Sequence, residues 1–329
     1  MTENTASAMP EILVYADEGA GAMSTRSLVN ALEHALDPER IRVRRVVARD
    51  IVPAHEIEDP PWMRTAVAIA FPGGADRPWV GQLAGRGNHA IRTFVERGGT
   101  YLGICAGAYY ACRRFTFELD HPDPAWRITA VRELDLFRGT AHGSLRELAM
   151  PYLLDVLECT TTVPLHWYDP PLPNPFSSSK DPVKPDDINP DRAKASGHLK
   201  IEQANDVQPA AESPALYWGG PCFVPDADSE VDILARYAGL PTERSIAAVR
   251  CPVGNGVAVL SGAHIEVSAD DYEAEGQLDM YQNELTRAEN PQQARYQHNV
   301  ATLREADAHR LDLFRRLLKA ANLGEWLKT

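Results

Sequence analysis

One cysteine stands where a strand must turn into a helix, in the run Tyr101-Leu102-Gly103-Ile104-Cys105-Ala106-Gly107-Ala108-Tyr109-Tyr110. Thr100 to Ile104 predicts a short buried strand and Ala106 to Arg114 predicts a helix, which leaves Cys105 on the turn between them. At such a place the helix N-terminal N–H groups and the helix dipole favour thiolate over thiol and bind a developing oxyanion. Gly103 and Gly107 suit a tight elbow, where neighbouring backbone passes too close for side chains. The plainer reading is a buried structural cysteine, since free cysteine is among the most buried residue types. The bracketing glycines favour the elbow and make Cys105 the candidate nucleophile.

A nucleophilic thiol needs a base, and the base needs an orienting group. The apolar run Val257 to Leu260 ends at Ser261-Gly262 and delivers His264 and Glu266. Two residues apart on an extended segment share one side, so Glu266 is placed to accept the imidazole N–H while His264 faces the thiol. As metal ligands the pair would need further donors, and no Cys or His cluster supplies them; neither a metal nor another cofactor is expected. A third segment, Ala66 to Asp76, reads as a buried strand ending in Pro72-Gly73-Gly74. The N–H groups of Gly74 and Ala106 would form a two-donor oxyanion hole, although Pro-Gly after a strand is very often an ordinary turn.

Proline-Gly-Gly, then Gly-x-Cys-x-Gly, then His-x-Glu, in this order, resembles the class I glutamine amidotransferase-like superfamily. The closer resemblance is to the N-terminal domain of eukaryotic-type biotin-protein ligases, a module that also stands alone. It rests on Phe71 to Asp76, Gly85-Arg86-Gly87-Asn88, Phe94 to Tyr110, Tyr217-Trp218-Gly219-Gly220 and Gly262 to Glu266. The resemblance implies an α/β, flavodoxin-like three-layer sandwich with a mostly parallel central sheet and the triad at the sheet's C-terminal edge. It also implies that Tyr217 to Gly220 face the active site. Glutamine-hydrolysing members of the superfamily carry Gln four residues after the nucleophile; here that residue is Tyr109, which argues against glutamine. If both line the pocket, Tyr109 and Trp218 would instead offer flat surfaces with polar tips to a more apolar acyl group; the equal alternative is that Tyr109 packs the first turn of the nucleophile helix and carries no specificity. No biotin ligase catalytic domain is present, so biotin ligation is not expected.

Composition limits the alternatives. A chain of 329 residues with 44% hydrophobic content can bury a sizeable core, and a single domain is expected. A net charge of −13 opposes nonspecific affinity for nucleic acid or anionic membrane. No apolar run reaches the roughly 20 residues that span a bilayer, and Met1 to Pro10 lacks a signal-like apolar stretch, so a cytoplasmic protein is expected. Five cysteines without C-x-x-C spacing fit reduced thiols, with Cys112, Cys159, Cys222 and Cys251 structural.

Strand candidates Glu11 to Tyr15, Ile41 to Val47 and Ala66 to Phe71 alternate with helical patterns, the first opened by Ser24 as a cap and carrying Leu28, Leu32 and Leu36. This alternation is the signature of a parallel sheet whose ligands bind beyond the strands' carboxyl ends. Between Pro164 and Pro214 lie ten prolines and a Ser177-Ser178-Ser179 run, which predicts a long loop or insertion over about 169–214, either disordered or a lid. Beyond about residue 272 the chain reads as helical to residue 329. Leu311, Phe314, Leu317 and Leu318 form an apolar face that docks on the domain or meets a second copy.

Three functions follow. The first is a cysteine hydrolase or acyl transferase acting on a small-molecule amide or related carbonyl. The second is a non-catalytic binding or regulatory module, and the third a glutaminase feeding ammonia to a partner synthase. Retention of Cys105, His264 and Glu266 together favours the first.

Overall fold

The computed structural model describes residues 8–55, 59–149, 157–174, 207–278 and 291–329. Its centre is a nine-stranded sheet of order β2-β1-β3-β4-β13-β12-β11-β8-β9. The strands β1 (Glu11–Tyr15), β3 (Ala66–Phe71), β4 (Thr100–Ile104) and β13 (Gly256–Ser261) are short runs that are almost wholly buried, as strands covered on both faces must be. With β2 (Arg42–Val46) they form the parallel half of the sheet. Alternation divides their side chains between two cores. Leu13 and Tyr15 pack on the side of α4 (Arg86–Glu96), while Ile12 and Val14 pack on the side of α1 (Ala22–Ala35) and α8 (Asp307–Ala320). Helices on both faces of the sheet make the three layers of a flavodoxin-like α/β fold.

The other half of the sheet is antiparallel: β12 (Ile246–Val253), β11 (Asp232–Tyr237), β8 (Thr161–Pro173) and β9 (Ala211–Tyr217) extend it from β13. The predicted proline-rich loop is therefore shorter than expected. Residues 169–173 and 211–214 belong to strands, and Pro164 pairs in register with Pro214. Trp167 and Tyr168 at its entrance are buried as packing; of the remainder of the predicted loop, residues 175–206 lie outside the described residues.

Two other expectations need correction. The helix after Cys105, α5 (Ala106–Ala111), does not reach Arg114; the chain passes into β5 (Cys112–Phe117), where Phe115, Thr116 and Phe117 suit a strand. With β6 (Ile128–Val131), β7 (Phe137–Gly143) and β10 (Cys222–Pro225) it builds a second sheet of order β10-β7-β5-β6. Ser24, in turn, is not a cap. Gly21 occupies the α1 N-cap and Ser24 lies inside the first turn, buried.

The C-terminal region is helical where described. Ser268 caps α6 (Ala269–Gly276) by accepting from Asp271 N, and α7 (Pro291–Glu305) and α8 follow. Phe314, Leu317 and Leu318 of α8 are buried with Leu313, packed in the same core as α1. Beyond α8, Leu327 bridges to Leu36, and Lys328 Nζ donates to the carbonyls of Glu33 and His34 at the end of α1.

Candidate active site

Cys105 closes β4 and opens α5 with φ +51° and ψ −104°, a conformation that costs a non-glycine residue about 1–3 kcal/mol and persists only where the surroundings enforce it. The surroundings do so. Cys105 N donates to Ser261 O at 2.8 Å, tying the elbow to the end of β13, and Gly107 N donates to Pro72 O at 3.0 Å. A Cβ on Gly107 would sit 2.2 Å from Phe71 O, and one on Gly103 would sit 2.6 Å from Gly107 O. Both glycines are therefore required by backbone contact, as the sequence predicted.

Past Ser261 the chain turns across the same edge. His264 N donates to Leu216 O at 2.8 Å, and Val267 N returns to His264 O at 3.4 Å. The segment is a turn rather than an extended strand, yet it brings His264 Nδ1 to 2.8 Å from Glu266 Oε1. Both residues are buried, at 2% and 1% exposure, and His264 Nε2 has no hydrogen-bond partner among the described residues. Burial alone would lower the histidine's pKa. The Glu266 charge and the neighbouring Cys105 outweigh it and push His264 up to about 10. Arg310 of α8, itself buried, holds the loop from behind by donating to the carbonyls of Ile265 and Glu266 at 3.0 and 3.2 Å.

The Pro72-Gly73-Gly74 loop runs beside them. A Cβ on Gly73 would lie 2.5 Å from His264 Cε1, so the glycine makes room for the imidazole. Gly74 has φ +142° and no room for a Cβ against Gly19 O and Gly21 N. Neither Gly74 N–H nor Ala106 N–H donates to an acceptor among the described residues.

The five residues expected to bind substrate hold one another. Cys105 Sγ lies 3.6 Å from the Trp218 carbonyl, to which the thiol donates. Tyr109 Oη donates to Gly219 O at 3.1 Å, and Tyr217 Oη accepts from Leu145 N and donates to Gly220 O. A Cβ on Gly220 would meet Gly262 O at 1.7 Å. Tyr217 and Gly220 thus sit beneath the loop, while Trp218 is half-buried against the core cluster of Leu216, Val267 and Tyr272, its indole N–H without a partner among the described residues. A cavity of about 860 Å³ lies elsewhere, at the opposite end of the sheet, where Ala66, Val67 and Thr100 begin β3 and β4. The Gly85-Arg86-Gly87-Asn88 stretch is a packing node: Gly85 N and Asn88 Nδ2 donate to Glu133, and Tyr110 Oη donates to Asn88 Oδ1.

Two residues at the site were missed. Ser24 Oγ accepts from Gly73 N at 2.7 Å and donates to Glu266 Oε1 at 3.0 Å, and Arg310 comes from α8. Nothing local in the sequence marks either, because Ser24 and Glu266 are 242 positions apart.

The chain matches the family model described as biotin-protein ligase, N terminal, over residues 10–147 and 191–326, and it belongs to that family. It is 32% identical over 260 residues to an uncharacterized protein of Chlamydia muridarum, covering 78% of this chain and 81% of that one. It is 27% identical over 261 residues to a biotin–protein ligase of Schizosaccharomyces pombe, covering 79% of this chain but 34% of the ligase. The match thus spans about a third of that relative. Two solved glutamine amidotransferases resemble it in fold alone. The one from Methylobacillus flagellatus shares 15% identity at a TM-score of 0.47, with 97% of this chain and 95% of the other covered. The one from Thermotoga maritima shares 10% at 0.46, with 94% and 98% covered.

Proposed function

We propose that the protein is a thiol-dependent hydrolase or acyl transferase acting on a small amide or related carbonyl compound other than free glutamine. The observation that supports this most directly is the buried His264–Glu266 pair, with His264 neighbouring a cysteine held in a strained elbow. In this reading Cys105 Sγ attacks the carbonyl carbon, and the proton from the thiol resides on His264. The N–H groups of Gly74 and Ala106 receive the oxyanion. Collapse of the tetrahedral intermediate breaks the carbon–nitrogen bond, and His264 passes its proton to the departing amine, leaving a thioester. Water or an acceptor amine, deprotonated by His264, then attacks the thioester and releases Cys105. A His264 pKa of about 10 suits the acid half of this cycle, because the imidazole carries a proton at neutral pH.

Family membership supports a second reading, a binding or regulatory module without turnover, and so does the thiol's commitment to the Trp218 carbonyl at 7% exposure. Intact-mass labelling with activated esters and amides separates the two. Covalent acylation that disappears in Cys105→Ala and turns over in the wild type supports the enzyme. An unmodified protein across the whole panel leaves the binding module.

A further inference from the structure

We infer that Ser24 is a positioning residue whose single hydroxyl ties the triad's acid to the oxyanion loop. The inference rests on the thiol-enzyme reading above. Hydrogen-bond chemistry fixes the direction of the chain. Gly73 N–H can only donate, so Ser24 Oγ accepts from it; an ionised Glu266 can only accept, so the Ser24 proton points at Oε1. Oε1 therefore receives two donors, Ser24 from α1 and His264 Nδ1–H from its own loop, while Oε2 has no partner among the described residues. With Nδ1 carrying the proton toward Glu266, Nε2 is the nitrogen left for the thiol. The other charged group packed on this corner, Arg310, reaches backbone carbonyls rather than the carboxylate.

The same hydroxyl acts in the other direction on the loop. Gly73 is held at both ends by the start of α1: its N–H by Ser24, and its carbonyl by Gly21 N at 2.8 Å. That carbonyl belongs to the peptide unit that carries the Gly74 N–H, so fixing Gly73 aims the oxyanion donor. Capping does not explain a buried serine here, since Gly21 is the N-cap, and the nearby buried hydroxyls of Thr25 and Ser27 have no partners among the described residues. Ser24 differs from them in being bonded on both sides, across two elements far apart in sequence.

The test uses the full chain and two probes. Iodoacetamide reads thiol activation alone; p-nitrophenyl acetate reads thiol activation plus oxyanion binding. Ser24→Ala is expected to slow alkylation of Cys105 about tenfold near neutral pH and acylation about a hundredfold. The acid limb of the triad's pH–rate profile should move upward by about one unit, and Ser24→Thr should restore most of both rates. The His264 Nδ1–H resonance in proton NMR should shift in Ser24→Ala, a readout independent of turnover and of whether the threonine variant folds. Wild-type alkylation rates, pH profile and Nδ1–H shift in Ser24→Ala would overturn the inference. Equal losses of alkylation and acylation would overturn the link to the oxyanion loop. Alkylation that His264→Ala leaves unchanged would instead overturn the triad itself, and wild-type protein that p-nitrophenyl acetate does not acylate would overturn the enzyme reading, while the alkylation and NMR arms still judge Ser24.

Discussion

Tyr109 Oη donates to the carbonyl of Gly219 across 3.1 Å, binding the residue four places beyond Cys105 to the segment whose Trp218 carbonyl receives the Cys105 thiol. The hydroxyl is thus spent inside the protein, and burial pushes its pKa well up. Tyr109→Phe leaves the buried Gly219 carbonyl without this donor, an expected loss of about 1–3 kcal/mol by urea denaturation. Because the Trp218 segment is loosened, iodoacetamide should label Cys105 faster in this variant.

The same commitment bears on specificity. With an aromatic ring at position 109, no side-chain amide is available there to pair with a glutamine substrate, whose polar end would lose that hydrogen bond. A coupled assay for glutamate release should show no Cys105-dependent activity at millimolar glutamine. Robust release by the isolated protein would restore the glutaminase reading.

Among the cysteines, Cys105 should react first. Burial pushes the Cys112 and Cys251 thiols far up and Cys222 up to about 12, so they remain protonated and unreactive near neutral pH. Peptide mapping after brief iodoacetamide treatment should find the label on Cys105; a dominant signal at Cys112 or Cys222 would contradict the assignment.

His264 makes stability depend on pH in a defined direction. Its folded-state pKa of about 10 exceeds the ordinary value of 6.5, so the folded protein holds a proton that the unfolded chain releases. That contribution is complete below pH 6.5 and is lost as pH rises through about 10. Urea midpoints for wild type and His264→Gln should converge over this window. In His264→Ala, alkylation of Cys105 near pH 7 should fall by about tenfold or more.

Gly73→Ala tests the fit of loop to imidazole. The added Cβ falls 2.5 Å from His264 Cε1 and 3.0 Å from Ser24 Oγ, so the ring must move and Cys105 alkylation should slow. Gly81→Ala, in α3 (Arg77–Leu83) with nothing within 4 Å of its Cβ, should leave reactivity unchanged and add stability by up to about 1 kcal/mol. Equal reactivity in the two variants would show that the ring is not confined.

Cys105 was legible because its elbow needs glycine at positions 103 and 107, a local demand that leaves a local trace. His264 and Glu266 were legible because their partnership spans two residues. Ser24 was misread as a cap, since a serine ahead of an apolar helical pattern has the same sequence signature whether its hydroxyl turns back to the helix or reaches across to a loop. The second sheet was hidden by the assumption that α5 continued, although Phe115-Thr116-Phe117 carries a strand's composition. Prolines misled in the other direction. β9 is the edge strand of the large sheet, where a missing N–H is tolerated, and Pro214 lies there opposite Pro164.

The place of β13 between β4 and β12 has a consequence for synthesis. Cys105 and its strand leave the ribosome long before residues 256–266, yet β4 has only β3 as a sheet neighbour until β13 arrives to fill the gap. Ser261, whose carbonyl fixes the elbow, His264 and Glu266 all lie in this late portion of the chain, and Arg310 comes later still. The nascent polypeptide therefore carries Cys105 without these neighbours, and the thiol meets His264 only as the middle of the sheet closes.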